Sequence, residues 1–228
     1  MNEKNEICVL YEDSQVLVVN KPIGFLSESH ESEPSVPVAL AAHGTATFPL
    51  VPVTRLDRGV GGVMLLAKTK QAAAFLSERV SDHTLFLKEY RAVIEGNLDE
   101  KVGQMQDLLF KDSSKNKTFV VKRMRRGVKN AALSYEVLAE TCIREKSVSL
   151  VRVVLHTGRT HQIRVQFSSR RHPLLGDGKY GGDSGYSLAL HAFSLAFPHP
   201  CGKRMSFSAP LPVGLPWDAF ANERPVSE

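Results

Sequence analysis

Apolar residues along this chain recur mainly in short runs, either alternating with polar residues or unbroken, between turns rich in glycine, proline and charge. Residues 7–11 and 16–19 predict two short strands around the turn Glu12-Asp13-Ser14. Asn20-Lys21-Pro22-Ile23-Gly24 predicts a turn, because Pro22 keeps Lys21 out of helical geometry. The polar stretch 27–37 predicts loop, and residues 37–42 a short helix. The apolar run 63–67 follows a glycine-rich loop, and Thr69 then predicts the N-cap of a helix through Ala72, Phe75, Leu76 and Val80. Next, Tyr90, Ala92 and Ile94 alternate with Glu89, Arg91 and Glu95, which predicts a half-buried strand with Tyr90 facing inward. Residues 132–138 and 147–155 predict strands, the second apolar on both faces as a central strand would be. At Gly158 the period changes. Ile163 and Phe167 lie one helical turn apart, as do Thr160 and Arg164, with Arg159 at the helix start, where free N–H groups attract anions. Residues 187–197 and 204–209 predict late strands punctuated by prolines.

Strands outnumber helices and are not regularly interleaved with them, so the expected class is α+β with a largely antiparallel or mixed sheet. Residues 1–6 are expected to be disordered, 7–221 to form a single domain, and 222–228 to be a flexible tail. At 43% hydrophobic and 23% charged residues, a chain of 228 can bury a substantial core. Its net charge of +5 suits an anionic partner. Cys8, Cys142 and Cys201 are widely separated, so spacing suggests neither a zinc site nor a disulfide framework, and a reducing compartment fits. No apolar run reaches bilayer length and the start lacks a signal peptide, so a soluble cytoplasmic protein is expected.

The candidate chemistry is spread over three stretches. Asp57 lies between Arg55 and Arg58 in a glycine-rich loop, which reads either as a surface ion-pair turn or as a carboxylate presented from a rigid scaffold. Tyr90 reads as a core tyrosine or a site residue, and Arg164 as a solvated helix residue or a charged member of a site beside Arg159, His161 and Gln162. His161 alone is more often a structural hydrogen-bonder than a catalyst. Residues 111–129 carry Lys115, Lys117, Lys122, Arg123, Arg125, Arg126 and Lys129, which fits a solvated hairpin or a phosphate-contacting arm equally well. The glycine-rich loop 175–182 lacks the spacing of a nucleotide P-loop. Spacing does not show whether these groups meet.

Several blocks together resemble one family. They are Val18-Val19-Asn20-Lys21-Pro22-Ile23-Gly24, Arg55-Leu56-Asp57-Arg58, Lys88-Glu89-Tyr90-Arg91-Ala92, Gly158-Arg159-Thr160-His161-Gln162-Ile163-Arg164-Val165, Leu175-Gly176-Asp177 and Leu190-His191-Ala192. In this order they resemble the RluA-type pseudouridine synthases, in a compact form without an N-terminal S4 domain. Thr54 stands where the family has histidine, and Val60-Gly61 where it has Thr-Ser. The resemblance implies the pseudouridine synthase fold, a mixed and mostly antiparallel sheet with flanking helices and a central RNA-binding cleft. It implies isomerisation of a specific uridine in structured RNA, tRNA or large-subunit rRNA, with no cofactor and no metal. Asp57 would be the nucleophile, Arg164 its charge partner, and Tyr90 a stacking residue and general base. Lys21, Arg55, Arg58, Arg159, His161, Gln162, Arg123, Arg125 and Arg126 would contact the RNA. A monomer working away from membranes is expected. The alternative is a non-catalytic RNA-binding module that retains the synthase fold.

Overall fold

The computed structural model describes residues 7–41 and 49–223. The expected disordered start, residue 42 of the first helix and residues 224–228 of the tail lie outside the described residues. The chain divides into two compact units, Met1–Lys88 with His191–Pro210, and Glu89–Leu190 with Leu211–Glu228.

In the first unit, β1 (Cys8–Glu12) and β2 (Val16–Lys21) form the expected hairpin, with Asp13 Oδ1 accepting from the backbone N–H groups of Gln15 and Val16, both at 2.8 Å. β2 runs antiparallel to β4 (Gly61–Ala67), every residue of which is buried. The other edge of β4 is shared. The short β3 (Val51–Pro52) pairs with its end, and β10 (Leu190–Pro198) lies parallel to its start, His191 opposite Gly61 and Ala192 opposite Gly62. β11 (Arg204–Ser208) then pairs antiparallel with β10, so the sheet is mixed. Helix α1 (Val36–Ala41) is short, and α2 (Lys70–Arg79) starts where its cap predicts, the Thr69 hydroxyl accepting from the Ala72 N–H at 3.1 Å. Leu65, Leu76, Phe86, Leu195 and Phe197 are central to the core, with Phe86 and Phe197 stacked 6.1 Å apart.

In the second unit the strand order is β5 (Leu87–Glu95), β9 (Lys146–Leu155), β8 (Val128–Ile143), β6 (Val102–Asp112), β7 (Lys117–Val121). The ladders β6–β7, β6–β8 and β8–β9 are antiparallel. Helix α3 (Gln162–Ser168) follows β9, with Phe167 fully buried and edge-on to Tyr135. Val93, Leu150, Leu175, Phe220 and the single tryptophan, Trp217, form one core, and Leu109, Ala131, Val165 and Tyr180 a second.

Three expectations change. β6 was not predicted, because between Val102 and Asp112 only Met105 and Leu109 are buried and the rest lies half or fully in solvent. β8 extends over 16 residues rather than 132–138, passing a register shift between Val137 and Ala139. β5 is buried on both faces from Arg91 to Ile94 rather than alternating, because Arg91 is neutralised on its own face by an ion pair to Glu89.

At the start of β4, Gly62 leaves no room for a side chain and Gly61 leaves little. A Cβ on Gly62 would lie 2.2 Å from the Ala192 carbonyl oxygen, and its φ is +116°. One on Gly61 would press on the Lys21 carbonyl at 3.1 Å. By contrast, Gly24 has φ +96° but open space around it. Gly62→Ala is therefore expected to cost more than about 4 kcal/mol and leave little folded protein, whereas Gly24→Ala costs about 1 to 2 kcal/mol. Urea unfolding of the two variants checks the difference, and similar midpoints would contradict it.

Candidate active site

The turn that carries Asp57 is held on both flanks by the segment after β2. The Ser27 hydroxyl accepts from the Leu56 N–H at 2.9 Å and donates to the Leu56 carbonyl at 2.8 Å, so Leu56 is clamped in both directions. On the other side, the Gly24 N–H donates to the Arg58 carbonyl at 2.8 Å, and the Val60 N–H closes the turn onto the Asp57 carbonyl at 3.0 Å. Asp57 itself is half-buried. Thr54, where the resemblance expects histidine, is buried, and its hydroxyl accepts from the Leu65 N–H at 2.9 Å, a purely backbone-fixing role.

Neither neighbouring arginine pairs with Asp57. Arg55 pairs with Glu28 at 3.0 Å and Arg58 with Glu33, all exposed except the half-buried Glu33. The surface Arg-Asp-Arg turn is thereby excluded, and the two arginines are tied to acids of their own chain. Exposed pairs of this kind are weak enough to exchange for a phosphate. The cation close to Asp57 in this unit is Lys21. It is 1% exposed. Its ammonium donates to the Pro22 carbonyl at 3.1 Å and approaches the Arg58 carbonyl at 3.5 Å. Burial pushes its pKa down to about 8, with the Asp57 charge opposing the shift.

In the second unit, Tyr90 lies half-buried on β5. A charged row flanks it: Glu89 bonds Arg91 along the strand and takes 2.9 Å and 2.8 Å contacts from Arg152 of β9, which also reaches Glu136 of β8. Burial raises the Glu89 pKa, but the hydrogen bonds from Arg152 and Arg91 outweigh it and the net shift is downward. Arg164 on α3 is 8% exposed and gripped from two directions by Asp177, Nε to Oδ2 at 2.7 Å and Nη2 to Oδ1 at 2.8 Å. This is the work of the glycine-rich loop: Asp177 is 2% exposed, and its backbone carbonyl accepts from the N–H groups of Tyr180 and Gly182. Sequence reading missed Asp177 as a site residue. The available signal was a lone acid in a glycine-rich loop placed after a basic helix.

The residues around the start of α3 divide. His161 caps the helix in the left-handed conformation, φ 53°, and its Nδ1 lies 2.8 Å from the Tyr180 hydroxyl, which also accepts from the Thr118 N–H. Gln162 is 3% exposed. Its Oε1 accepts from Thr157 Oγ1 at 2.7 Å and the Arg159 N–H at 3.0 Å, and its Nε2 donates to the Ala132 carbonyl at 3.0 Å. These three bonds fix the strand-to-helix turn. Arg159 stays exposed with Nε on the Asn130 carbonyl. Arg123, Arg125 and Arg126 lie on the exposed turn between β7 and β8, Arg125 over the Phe110 ring at 5.0 Å, and among the described residues none of the three pairs with an acid. A cleft of about 430 Å³ in this unit is lined by Glu95, Lys146, Asp183 and Tyr186 and holds none of these candidates. Among the described residues no cluster of three His, Cys, Asp or Glu side chains could hold a metal, and no helix is long and apolar enough to cross a membrane.

A clamped carboxylate in one unit, and an exposed basic turn with a pinned arginine in the other, suit an enzyme acting on a polyanion. Comparison gives the class. The profile of the RNA pseudouridylate synthase family matches residues 15–169, and the chain belongs to that family, whose members are isomerases. It is 33% identical over 221 residues to the uncharacterized RNA pseudouridine synthase YhcT of Bacillus subtilis, covering 93% of this chain and 71% of that protein. It is 32% identical over 229 residues to ribosomal large subunit pseudouridine synthase D of Zymomonas mobilis, covering 91% and 70%. The solved structure of human RNA pseudouridylate synthase domain containing 4 superposes with a TM-score of 0.71 at 26% identity, over 90% of this chain and 88% of that one.

Lys21 gives a pH signature. Its ammonium loses its proton near pH 8 in the folded chain and near the usual 10.5 when unfolded, so the unfolded chain holds more protons between these values. Stability contributed through this group therefore rises as pH goes from about 8 to about 10.5, by up to about 3 kcal/mol. Urea unfolding across that window is expected to show the rise in the native chain and to lack it in Lys21→Met. Equal slopes in both would refute the assignment.

Proposed function

We propose that the chain isomerises a uridine in structured RNA, tRNA or large-subunit rRNA, with Asp57 as the nucleophile. The observation that carries this is the Asp57 turn. The residues on both sides of the carboxylate are tied by backbone and hydroxyl hydrogen bonds, so its approach direction is set before any substrate arrives. The reaction breaks the bond between the ribose anomeric carbon and N1 of uracil, rotates the base, and forms a new bond to C5, whose hydrogen then leaves. A carboxylate suits the first step, because it can capture or stabilise an anomeric carbon with cationic character. We assign Arg164 to keeping that carboxylate ionised. Asp177 fixes its guanidinium plane through Nε and Nη2, and an opposite charge of this kind lowers a carboxyl pKa. Tyr90 is assigned to stacking on the target base and to proton transfer.

A uridine within folded RNA must leave its stack to reach such a group, at a cost of about 2 to 4 kcal/mol. Binding has to offset this, and the exposed turn bearing Arg123, Arg125 and Arg126 is assigned to the RNA backbone, with Arg55, Arg58 and Arg159 as further contacts. The resemblance implies tRNA or large-subunit rRNA, the Zymomonas relative is named for the large ribosomal subunit, and both substrates belong in the assay.

Asp57→Asn is expected to lower tritium release from 5-tritiated uridine RNA by at least about 1,000-fold, with RNA affinity changed by less than about threefold. Undiminished release in this variant would remove Asp57 from the chemistry, whereas no release from the native chain would favour a non-catalytic binding role. A second test concerns the basic turn. Replacing Arg123, Arg125 and Arg126 by glutamine is expected to reduce the slope of log affinity against log salt by about 2 to 3, while turnover at saturating RNA holds. An unchanged slope would make the turn a solvated hairpin.

A further inference from the structure

A second group of reactive side chains lies in the first unit, apart from the residues above. The turn between β10 and β11 reads Pro198-His199-Pro200-Cys201-Gly202-Lys203, and it folds back on itself through His199 N–H to Lys203 carbonyl at 2.7 Å and Gly202 N–H to His199 carbonyl at 2.8 Å. This brings Cys201 Sγ to 2.8 Å from His199 Nδ1. On the other side of the imidazole, His199 Nε2 lies 3.0 Å from Asp13 Oδ2, at an angle outside hydrogen-bond range, and the same carboxylate oxygen accepts from the Tyr11 hydroxyl at 3.1 Å. His199 is 3% exposed, whereas Cys201 is exposed. Thiol, imidazole and carboxylate thus form a row whose imidazole is buried, with the sulfur exposed at one end and a part-buried carboxylate at the other.

The geometry selects among the uses of such a row. The two ring nitrogens face opposite partners, so Cys201, His199 and Asp13 do not converge on one point, and a metal cage is ruled out for this arrangement. The Cys201 N–H donates to His199 Nδ1 at 3.1 Å, so Nδ1 carries the lone pair and Nε2 the proton, on the side of the carboxylate. That tautomer can take the thiol proton at Nδ1. The resulting imidazolium would lie against Asp13, whose ionised form is secured despite burial by the N–H groups of Val16 and Gln15 and by Tyr11. Lys68 borders the same acid, with its ammonium on the Asp13 carbonyl at 2.7 Å and paired to Glu12.

We propose that Cys201 is a nucleophilic thiol, activated by His199 and oriented through Asp13, that is reversibly modified by low-molecular-weight disulfides. In the step, the thiol proton passes to His199 Nδ1 and the thiolate attacks one sulfur of the disulfide. A Cys201 mixed disulfide forms, and the other half leaves as a thiolate, which takes the proton. Cys8 and Cys142 are also exposed but have no such neighbour among the described residues, so the chain contains its own controls.

The test treats the full chain with oxidised glutathione at pH 7 and follows each cysteine peptide by mass spectrometry. Cys201 is expected to form the mixed disulfide at least about tenfold faster than Cys8 and Cys142. In His199→Gln its rate is expected to fall to within about twofold of theirs. In Asp13→Asn, which keeps the Oδ1 acceptor for Gln15 and Val16, the rate is expected to drop severalfold with the fold retained. Comparable rates at the three cysteines in the native chain would overturn the proposal without reference to any variant. So would a Cys201 that stays fast in His199→Gln, because reactivity would then follow exposure alone.

Discussion

The close backbone approach of Gly62 to Ala192 fixes where the chain leaves the Asp57 turn. Because no Cβ fits between them, β4 can lie parallel to β10 with His191 opposite Gly61, and its path into the sheet has little freedom. The chain reaches the turn under similar constraint, through the Thr54 hydroxyl bond to Leu65 and the Ser27 clamp on Leu56. Nearly all of these ties are backbone groups or short hydroxyls. They hold the carboxylate with little rotamer entropy to lose, which long ion-pairing side chains could not do. The Val60-Gly61 variation from the family pattern is thereby accounted for at Gly61, whose neighbours leave only tight space for a side chain.

Charge is used differently in the two units. The bidentate grip of Asp177 on Arg164 is buried at both ends, so its Coulombic gain largely offsets desolvation and adds little net stability. What it supplies is a fixed guanidinium plane. Glu89 and Arg152 act likewise beside Tyr90, each satisfying a partner that burial would otherwise penalise. Lys21 is the costly exception, a nearly inaccessible ammonium with only carbonyl acceptors and the Asp57 charge for compensation.

What the sequence revealed divides along the same physical line. Local signals were legible: Thr69 caps α2, the β1–β2 hairpin forms about its acidic turn, and the two-faced apolar run of β9 is buried as a central strand is. Signals that depend on tertiary partners were not. The apolar residues of β6, Val102, Met105, Leu108, Leu109 and Phe110, do not alternate, and its strand form comes from pairing with β7 and β8. Lys21 in an Asn-Lys-Pro turn looks solvated, and Gln162 beside two basic residues looks like a ligand contact; both are buried by segments distant in sequence. Asp57 was legible as a candidate from its glycine-rich loop, but its clamp by Ser27 and Gly24 was not, since nothing local ties those residues to it. Asp177 was hidden in a glycine-rich loop that matches no phosphate-binding spacing, and it is buried there at 2% exposure.

Trp217 gives the molecule an optical asymmetry. The only indole in the chain is 5% exposed among Val93, Leu150 and Phe220, in the core of the second unit, and the first unit has none. Intrinsic fluorescence excited at the red edge of the protein band therefore follows the solvation of one core alone, while far-ultraviolet dichroism averages over both. Non-coincident transitions from the two signals would mean that the units lose structure separately, and coincident ones that they melt as a single cooperative body.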